Sequence, residues 1–428
     1  MKIKGLRWVI IGLIFLATVI NYIDRSALAI MWGNAGVEGS IAQDLGLTKE
    51  HYSYILNIFM FAYAFGQLFS GKLFDKVGTR VGYVLSIGVW AISSLLHSTV
   101  RGVLSIGILR STLGISEAGN WPGAVKSNAE WFPIKERAIA QGLFNAGASV
   151  GSIIAPLLIA TLFVGFGWRI TFLIIGSFGL IWIIPWLLIN KAGPKKHPWI
   201  TEVEKKYILE GQSKADQDAT DETKGKGLIE ILSHKESWAV VIGRFFLEPI
   251  WWFFVGWMPI YLFDVYGFDV KEVGMFLWVP YVGAAVGSIA GGFVSGRIIS
   301  KTGSINKGRK TTIFIGGIIM FLGLFATVLF ADTAIKFVLI VCAVLFGFQF
   351  AIGNVQTLPS DFFSGKSVGS LAGLGGMIGV LAVIVMNFLV PVVAKVSYTP
   401  IFIAIGVFVP LGIAAIYLFA RKIKSVEE

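Results

Sequence analysis

Ionisable side chains are scarce inside the long apolar stretches of this sequence, and the few that occur there are grouped. Asp24 and Arg25 are adjacent in the first stretch, Arg110, Glu117 and Lys126 share a later one, and Arg244 and Glu248 share another. A charge at bilayer depth costs roughly 2.5 to 3.5 kcal/mol even on lenient insertion scales, so residues of this kind mark places where a charge is used. Arg110 and Glu117 are seven residues apart. At about 3.6 residues per turn that spacing puts both on one helix face, two turns from each other, where they can point into one cavity. A carboxylate beside a cation stays ionised, but in a dry cavity that has lost its cation it takes up a proton readily. That is the behaviour a proton-coupling residue requires. The competing reading of Asp24, Arg25, Arg110 and Glu117 is a buried network that only locks two helices together. It is the weaker reading, because buried ion pairs are poor stabilisers by themselves.

The other charged positions divide more evenly. Arg244 and Glu248 are one turn apart and suit either a site or mutual neutralisation as an i, i+4 pair. Lys126 lies near the end of its stretch, where a lysine reaches along its own stem to the interface. Trp251 and Trp252 fall midway along their stretch, away from the interfacial belt that tryptophan usually occupies, which favours contact with a ligand slightly over packing. Tyr22, Tyr63, Gln67, Asn120, Asn145, Asn354, Gln356, Thr357 and Asn387 add hydrogen-bonding capacity. Taken singly such residues bridge helices, and taken together they point to a wet central cavity.

The elements that must position these residues are transmembrane helices. Of the 428 residues 55% are hydrophobic and 14% charged, with a mean hydropathy of +0.76, too apolar for a domain whose surface is solvated. Helix-length apolar runs occur near 7–30, 52–73, 81–99, 102–125, 137–163, 168–190, 237–263, 272–299, 311–331, 334–357, 368–395 and 398–420. The sequence therefore predicts an all-α membrane protein of twelve transmembrane helices in two six-helix bundles, 1–190 and 237–428, joined by a hydrophilic cytoplasmic linker over 191–236. The stretch SKADQDATDETKGKG within that linker has the mixed charge and small polar residues of a flexible connection. Basic residues collect at the N-terminus, in GKLFDKVGTR, FPIKER and GRIISKTGSINKGRKT, and in the tail ARKIKS, all on one side of this layout. Since Lys and Arg resist translocation, both termini are expected in the cytoplasm, with the protein in the inner membrane. Gly71 to Arg80 and Gly292 to Lys301 form a weak repeat at matching places in the two halves, as in transporters with a site between repeats. Glycine-rich runs at 142–151 and 369–379 suit close packing and sliding of helices.

Other chemistries find no support. The net charge of +11 falls in short clusters between apolar spans, without the stacking aromatics of a nucleic-acid surface. His51, His97, His197 and His234 are scattered and show no metal-ligand spacing, and Cys342 is the sole cysteine. No phosphate-binding loop or nucleophile elbow is present, so no enzyme, ATP-driven pump, metal or organic cofactor is expected. The expected partners are a small organic anion, protons as the coupling ion and the lipid bilayer, with the chain acting as a monomer.

These motifs resemble the major facilitator superfamily. Gly71-Lys-Leu-Phe-Asp-Lys-Val-Gly-Thr-Arg80 is similar to its loop signature, with Gly71, Asp75 and Arg80 in the gating positions. Asn21-Tyr-Ile-Asp-Arg25 and Arg110-Ser-Thr-Leu-Gly-Ile-Ser-Glu117 resemble the charged motifs of its anion:cation symporter family. Glu-Ala-Gly-Asn-Trp-Pro-Gly-Ala-Val-Lys126, Glu-Trp-Phe-Pro133, Gln-Gly-Leu-Phe-Asn-Ala-Gly147, Pro-Ile-Trp-Trp-Phe253 and Leu-Pro-Ser-Asp361 look like the hexuronate branch. The resemblance implies alternating-access proton symport of a sugar acid such as glucuronate or galacturonate. Asp24 and Glu117 would be the protonatable residues, Arg25 and Arg110 the holders of the substrate carboxylate, and Tyr22 and Tyr63 polar contacts in the cavity. Asn120, Asn145, Trp251, Trp252, Asn354 and Thr357 complete the expected binding set. Glu248 stands where this branch tends to carry Asp, and Ala148 where aldonate-transporting relatives carry Gln, which counts mildly against an aldonate. The rival readings are an organic-anion exchanger, an aldonate or aldarate symporter and, more remotely, a transporter-like sensor signalling through the linker.

Overall fold

The computed structural model of the chain describes residues 2–33, 38–210, 228–363, 366–424 and 426. Two compact units divide between Glu222 and Thr223, inside the stretch expected to be linker. The segment SKADQDATDETKGKG lies outside the described residues.

In the first unit α1 spans Leu6–Trp32, α2 Ile41–Leu45, α3 Lys49–Leu96, α4 Val103–Glu117, α5 Asn120–Trp131, α6 Ile134–Ile189 and α7 Glu202–Glu210. The 48 residues of α3 would reach roughly 72 Å if straight, more than twice the hydrocarbon thickness of about 30 Å, so the element has to turn. It does so at Gly78, whose φ of 77° is open to glycine and strained for other residues. Phe74 and Tyr83 on either side of that turn meet with ring centroids 5.4 Å apart. Gly167, with φ 75°, divides the 56 residues of α6 in the same way.

The predicted helix over 102–125 is broken into α4 and α5. Pro122 cannot donate to the carbonyl of Ala118 four residues earlier, and Gly119 approaches Ser86 so closely that a Cβ there would lie 2.3 Å from the Ser86 hydroxyl. α1 packs along α6, where a Cβ on Gly147 or Gly151 would stand 2.7 Å from the carbonyls of Phe15 and Val19. Small residues set this close approach, as expected where lipid leaves no hydrophobic drive between helices.

In the second unit α8 spans Leu228–Ser233, α9 Lys235–Tyr266, α10 Val270–Phe276, α11 Trp278–Thr302, α12 Ile305–Phe330, α13 Ala334–Phe362, α14 Lys366–Val393 and α15 Thr399–Phe419. α9 packs on α14 and α15, and α13 lies between α11 and α12. Counting α3 and α6 twice, and pairing α4 with α5 and α10 with α11, the described residues form twelve segments of membrane-crossing length. Large apolar side chains such as Leu104, Ile289, Phe293 and Val392 remain outside the packed bundles, as required of a multi-pass membrane protein.

The first part of the expected linker is ordered. Lys2 donates to the carbonyl of Ile200, Ile3 donates to that of Trp199, and α7 lies against the start of α1. Glu204 explains the docking. The left-handed Gly5 that begins α1 brings no capping side chain, and Glu204 accepts from the backbone N–H groups of Gly5, Leu6 and Arg7 instead. Its carboxylate also pairs with the Arg7 guanidinium at 2.8 Å.

Candidate functional site

Consecutive residues on a helix point about 100° apart, so Asp24 and Arg25 leave α1 toward different neighbours. Arg25 turns to α4 and the first half of α3. Its Nε and Nη2 donate to Oε2 of Glu117 at 3.1 and 2.8 Å. Three rings surround the guanidinium, those of Tyr22, Phe59 and Tyr63, with centroids 5.2, 5.6 and 5.0 Å from its central carbon. Such rings attract a cation through their π faces without neutralising it. Asp24 turns to the second half of α3, where the Ser94 hydroxyl donates to its Oδ1 at 2.7 Å.

Arg110 and Glu117 both lie on the buried face of α4, as their spacing requires. Asp24, Arg110 and Glu117 are 1%, 2% and 0% exposed, and Arg25 8%. Arg110 is within electrostatic reach of Asp24, Glu117, Arg25 and Tyr52. The pairing inside this cluster is incomplete. Among the described residues, Oδ2 of Asp24, Oε1 of Glu117, and Nε and Nη2 of Arg110 are buried without hydrogen-bond partners. An orphaned polar atom in a low dielectric is costly, which makes it a ready acceptor or donor for an entering proton or anion. The structure thus brings Asp24, Arg25, Arg110, Glu117, Tyr22 and Tyr63 together in the first unit.

Asn120 is buried one turn beyond Glu117, where its Nδ2 donates to the Thr18 hydroxyl at 3.1 Å and ties α5 to α1. Asn145 is on an exposed face of α6. Lys126 Nζ donates to the Phe74 carbonyl at 2.9 Å, four residues before the Gly78 turn. Arg80 follows the Gly78 turn and donates to the carbonyl of Leu187, and the Trp186 indole donates back to the Arg80 carbonyl. Gly71 and Asp75 have their place on α3, but their surroundings lie outside the described residues.

In the second unit Arg244 and Glu248 form the i, i+4 pair that their spacing allows. Nε and Nη2 of Arg244 donate to Oε1 of Glu248 at 2.9 and 2.6 Å, and Nη1 donates to the Ala372 carbonyl at 3.1 Å. Gly379 makes room for this pair, since a Cβ there would lie 2.6 Å from Cγ of Glu248. Trp251 is stacked on Phe348 at 5.7 Å with Tyr281 at its edge, while Trp252 is half-buried beside it. Asn354 accepts from Nη1 of Arg309 at 3.2 Å, and Thr357 donates to the Asn354 carbonyl. Both belong to a cluster around the Arg309–Asp361 ion pair, 2.9 Å long, that reading the sequence had not assembled. Arg309 sits in the basic segment GRIISKTGSINKGRKT and Asp361 in Leu-Pro-Ser-Asp361, 52 residues away, with nothing local to join them. Ser94 and His97 were also missed. Their only signal was polarity inside the apolar run YVLSIGVWAISSLLHSTV.

The family model described as Major Facilitator Superfamily matches residues 14–387. A hexuronate transporter of Escherichia coli (strain K12) is 32% identical over 433 residues, covering 100% of this chain and 96% of that protein. A galacturonate transporter of Dickeya chrysanthemi is 33% identical over 321 residues, covering 74% of this chain and 90% of its own. Among solved structures, a bacterial homolog of the human lysosomal transporter Spinster superposes with a TM-score of 0.73 at 16% identity, covering 98% of both chains.

Proposed function

The chain belongs to the Major Facilitator Superfamily, as a membrane transporter and not an enzyme, and on that premise we propose that it imports a hexuronate such as glucuronate or galacturonate by proton symport. The observation that carries this reading is the fully buried Arg25–Glu117 pair, 2.8 Å long, with a second carboxylate and a second guanidinium beside it that are only partly satisfied. A proton on Glu117 removes the charge that holds Arg25. The freed guanidinium, caged by Tyr22, Phe59 and Tyr63, then offers two parallel N–H groups to the carboxylate of a sugar acid, with the unpartnered donors of Arg110 close by. Loss of the proton restores the pair and expels the anion. The sugar's hydroxyls suit the polar and aromatic side chains around the charges. The names of the two relatives support a hexuronate over other anions of this size.

The basic segments support an orientation with the termini, the Gly78 turn and α7 on the cytoplasmic side of the inner membrane and the loop after α3 on the opposite side. Alternating access of the two units exposes the cluster to each side in turn. Two protons entering with one monoanion would carry net positive charge inward, which gains about 2.3 kcal/mol per 100 mV of potential.

Uptake of radiolabelled glucuronate and galacturonate into proteoliposomes, with and without an inward proton gradient, tests this reading. The wild type is expected to accumulate at least one of them under the gradient, and Glu117→Gln to lose accumulation while retaining counterflow exchange. Exchange that ignores the gradient in the wild type replaces symport with anion exchange, and failure to accumulate either sugar acid removes the hexuronate assignment.

A further inference from the structure

His97 is a buried titratable group that the reading above does not use. It begins the short 3-10 turn His97–Thr99 that ends α3, and it is 1% exposed. Its Nδ1 lies 2.7 Å from the Ser93 carbonyl, an oxygen that can only accept, so Nδ1 carries the hydrogen. The other ring nitrogen, Nε2, is left in the interior without a hydrogen-bond partner. The imidazole is stacked on Phe172, with centroids 5.1 Å apart, which fixes its plane. His97 is three residues after Ser94, on the same helix face, and Ser94 is the residue whose hydroxyl holds Asp24. The Arg110 guanidinium on α4 is within electrostatic reach of both His97 and Asp24. Of the charged groups, Arg110 from α4 is within reach of the ring, and Asp24 from α1 meets the same face of α3 one turn earlier, at Ser94. Arg169 from α6 stands behind the turn, donating to the carbonyls of Ser98 and Val100 and pairing with Asp44.

We propose that His97 is the proton-relay residue of the first unit, passing protons between Asp24 and the end of the bundle that holds Arg169 and Asp44. Neutral His97 has one open lone pair, at Nε2, and Asp24 has one open oxygen, Oδ2. A proton entering from the Arg169 end binds Nε2 and gives the imidazolium, with the Nδ1–H bond to Ser93 kept. The Nε2 proton then passes to the Asp24 carboxylate, directly or through one water that gives up a proton of its own as it receives one. This leaves a neutral carboxyl and a neutral imidazole. Among the described residues nothing accepts from Nε2, so no hydrogen bond holds the added proton on the ring and it is handed on instead of stored. This inference rests on the proton-symport reading and adds to it a route and a residue.

The test compares gradient-driven uptake with counterflow for His97→Asn and His97→Gln in proteoliposomes, using glucuronate and galacturonate as probes. Neither side chain titrates, and asparagine can still donate to the Ser93 carbonyl. Gradient-driven accumulation is expected to fall at least about tenfold while counterflow stays within about threefold. The dependence of the driven rate on external pH should flatten. Driven uptake within about twofold of the wild type, or an equal loss of driven uptake and counterflow in both variants, overturns the relay. A wild type that ignores the proton gradient overturns the symport reading and the relay together. NMR titration of histidine-labelled protein needs no substrate and separates the relay from the choice of sugar. The His97 transition, identified by its loss in His97→Gln, is expected to change its midpoint in Asp24→Asn, and an unchanged midpoint overturns the link.

Discussion

The two units bury charge in different ways. In the first, Asp24, Arg25, Arg110 and Glu117 lie inside the bundle, and four of their own polar atoms have no partner among the described residues: Asp24 Oδ2, Glu117 Oε1, and Nε and Nη2 of Arg110. In the second, the Arg244–Glu248 side chains keep 17% and 12% of their surface open and the Arg309–Asp361 side chains 20% and 11%. Arg244 donates from all three nitrogens. Ion pairs that are complete and partly open resist changes of protonation, because each partner already has what its charge needs. A pair that is dry and incomplete responds to a single proton. Under the proposed symport, the contrast favours the first unit for proton chemistry and the second for aromatic surface and structural locks.

The largest expected effect comes from removing the cation on each side of this comparison. Arg25→Gln removes the ion-pair partner of Glu117 at 0% exposure and leaves Arg110 as the remaining cation in its reach, a change expected to destabilise by about 3 to 5 kcal/mol and to abolish accumulation. Arg244→Gln acts at a more open site, where the Glu248 side chain keeps 12% of its surface exposed, and its cost is expected at about 1 to 2 kcal/mol. Thermal unfolding in detergent as a function of pH separates the two. The Arg25→Gln defect should shrink as pH falls and Glu117 is neutralised, and the Arg244→Gln defect should change less. Equal costs at every pH would erase the distinction between the units.

A smaller effect tests whether incomplete pairing belongs to the whole first unit or only to its core. Glu204 accepts from three backbone N–H groups and from Arg7, and Arg7 also pairs with Glu136 at 3.0 Å while Tyr207 donates to Glu136. This network is complete. Glu204→Gln should cost about 1 to 2 kcal/mol, the usual scale for a helix cap together with a charge-assisted bond, and should leave the pH dependence of uptake in place. Proteolysis within 202–210 should become faster. A shifted pH profile in this variant would mean that coupling extends to α7, and the core would lose its special status.

The sequence made the helices and the buried charges legible because both are local signals. Twelve apolar runs show themselves one window at a time, and an Asp or Arg within a run stands out wherever it occurs. Arg110 and Glu117 were readable as one face because helical periodicity carries across seven residues. Partners on different helices were not readable. Ser94 meets Asp24 across 70 residues, and Arg309 meets Asp361 across 52. Which helices touch is decided by small residues such as Gly147, Gly151 and Gly379, whose contacts have no period of their own. The docking of α7 was not readable for a related reason, since it depends on one carboxylate, Glu204, that satisfies the uncapped start of α1. His97 was set aside along with the other histidines because metal-ligand spacing was the only role their positions could be tested against.

The smallest effect concerns the other buried histidine of the first unit, which is the complete counterpart of His97. His197 is 4% exposed, its Nε2–H donates to the Ile189 carbonyl at 2.8 Å, and its Nδ1 accepts from the Trp199 N–H at 3.2 Å. Both ring nitrogens are used, and only by the neutral ring, since protonation at Nδ1 would set two hydrogens against each other. Burial first, with the Lys191 ammonium adding to it, holds the imidazole below the ordinary value of 6.5. A base whose folded value is lowered adds stability that is fully present above the unfolded value, here 6.5, and is lost as pH falls below it toward the folded value. Docking of the 191–210 segment should therefore loosen modestly between neutral pH and about pH 5, visible as faster amide exchange at Ile3 and Trp199. His197→Phe keeps an aromatic edge against Trp131 but cannot titrate, so its exchange rates, corrected for the intrinsic pH effect, should be flat over the same range. An equal loosening in His197→Phe would take the pH response away from His197. Uptake should be insensitive to His197→Phe where it is sensitive to His97→Asn, because a ring with both nitrogens satisfied has nothing left to hand on.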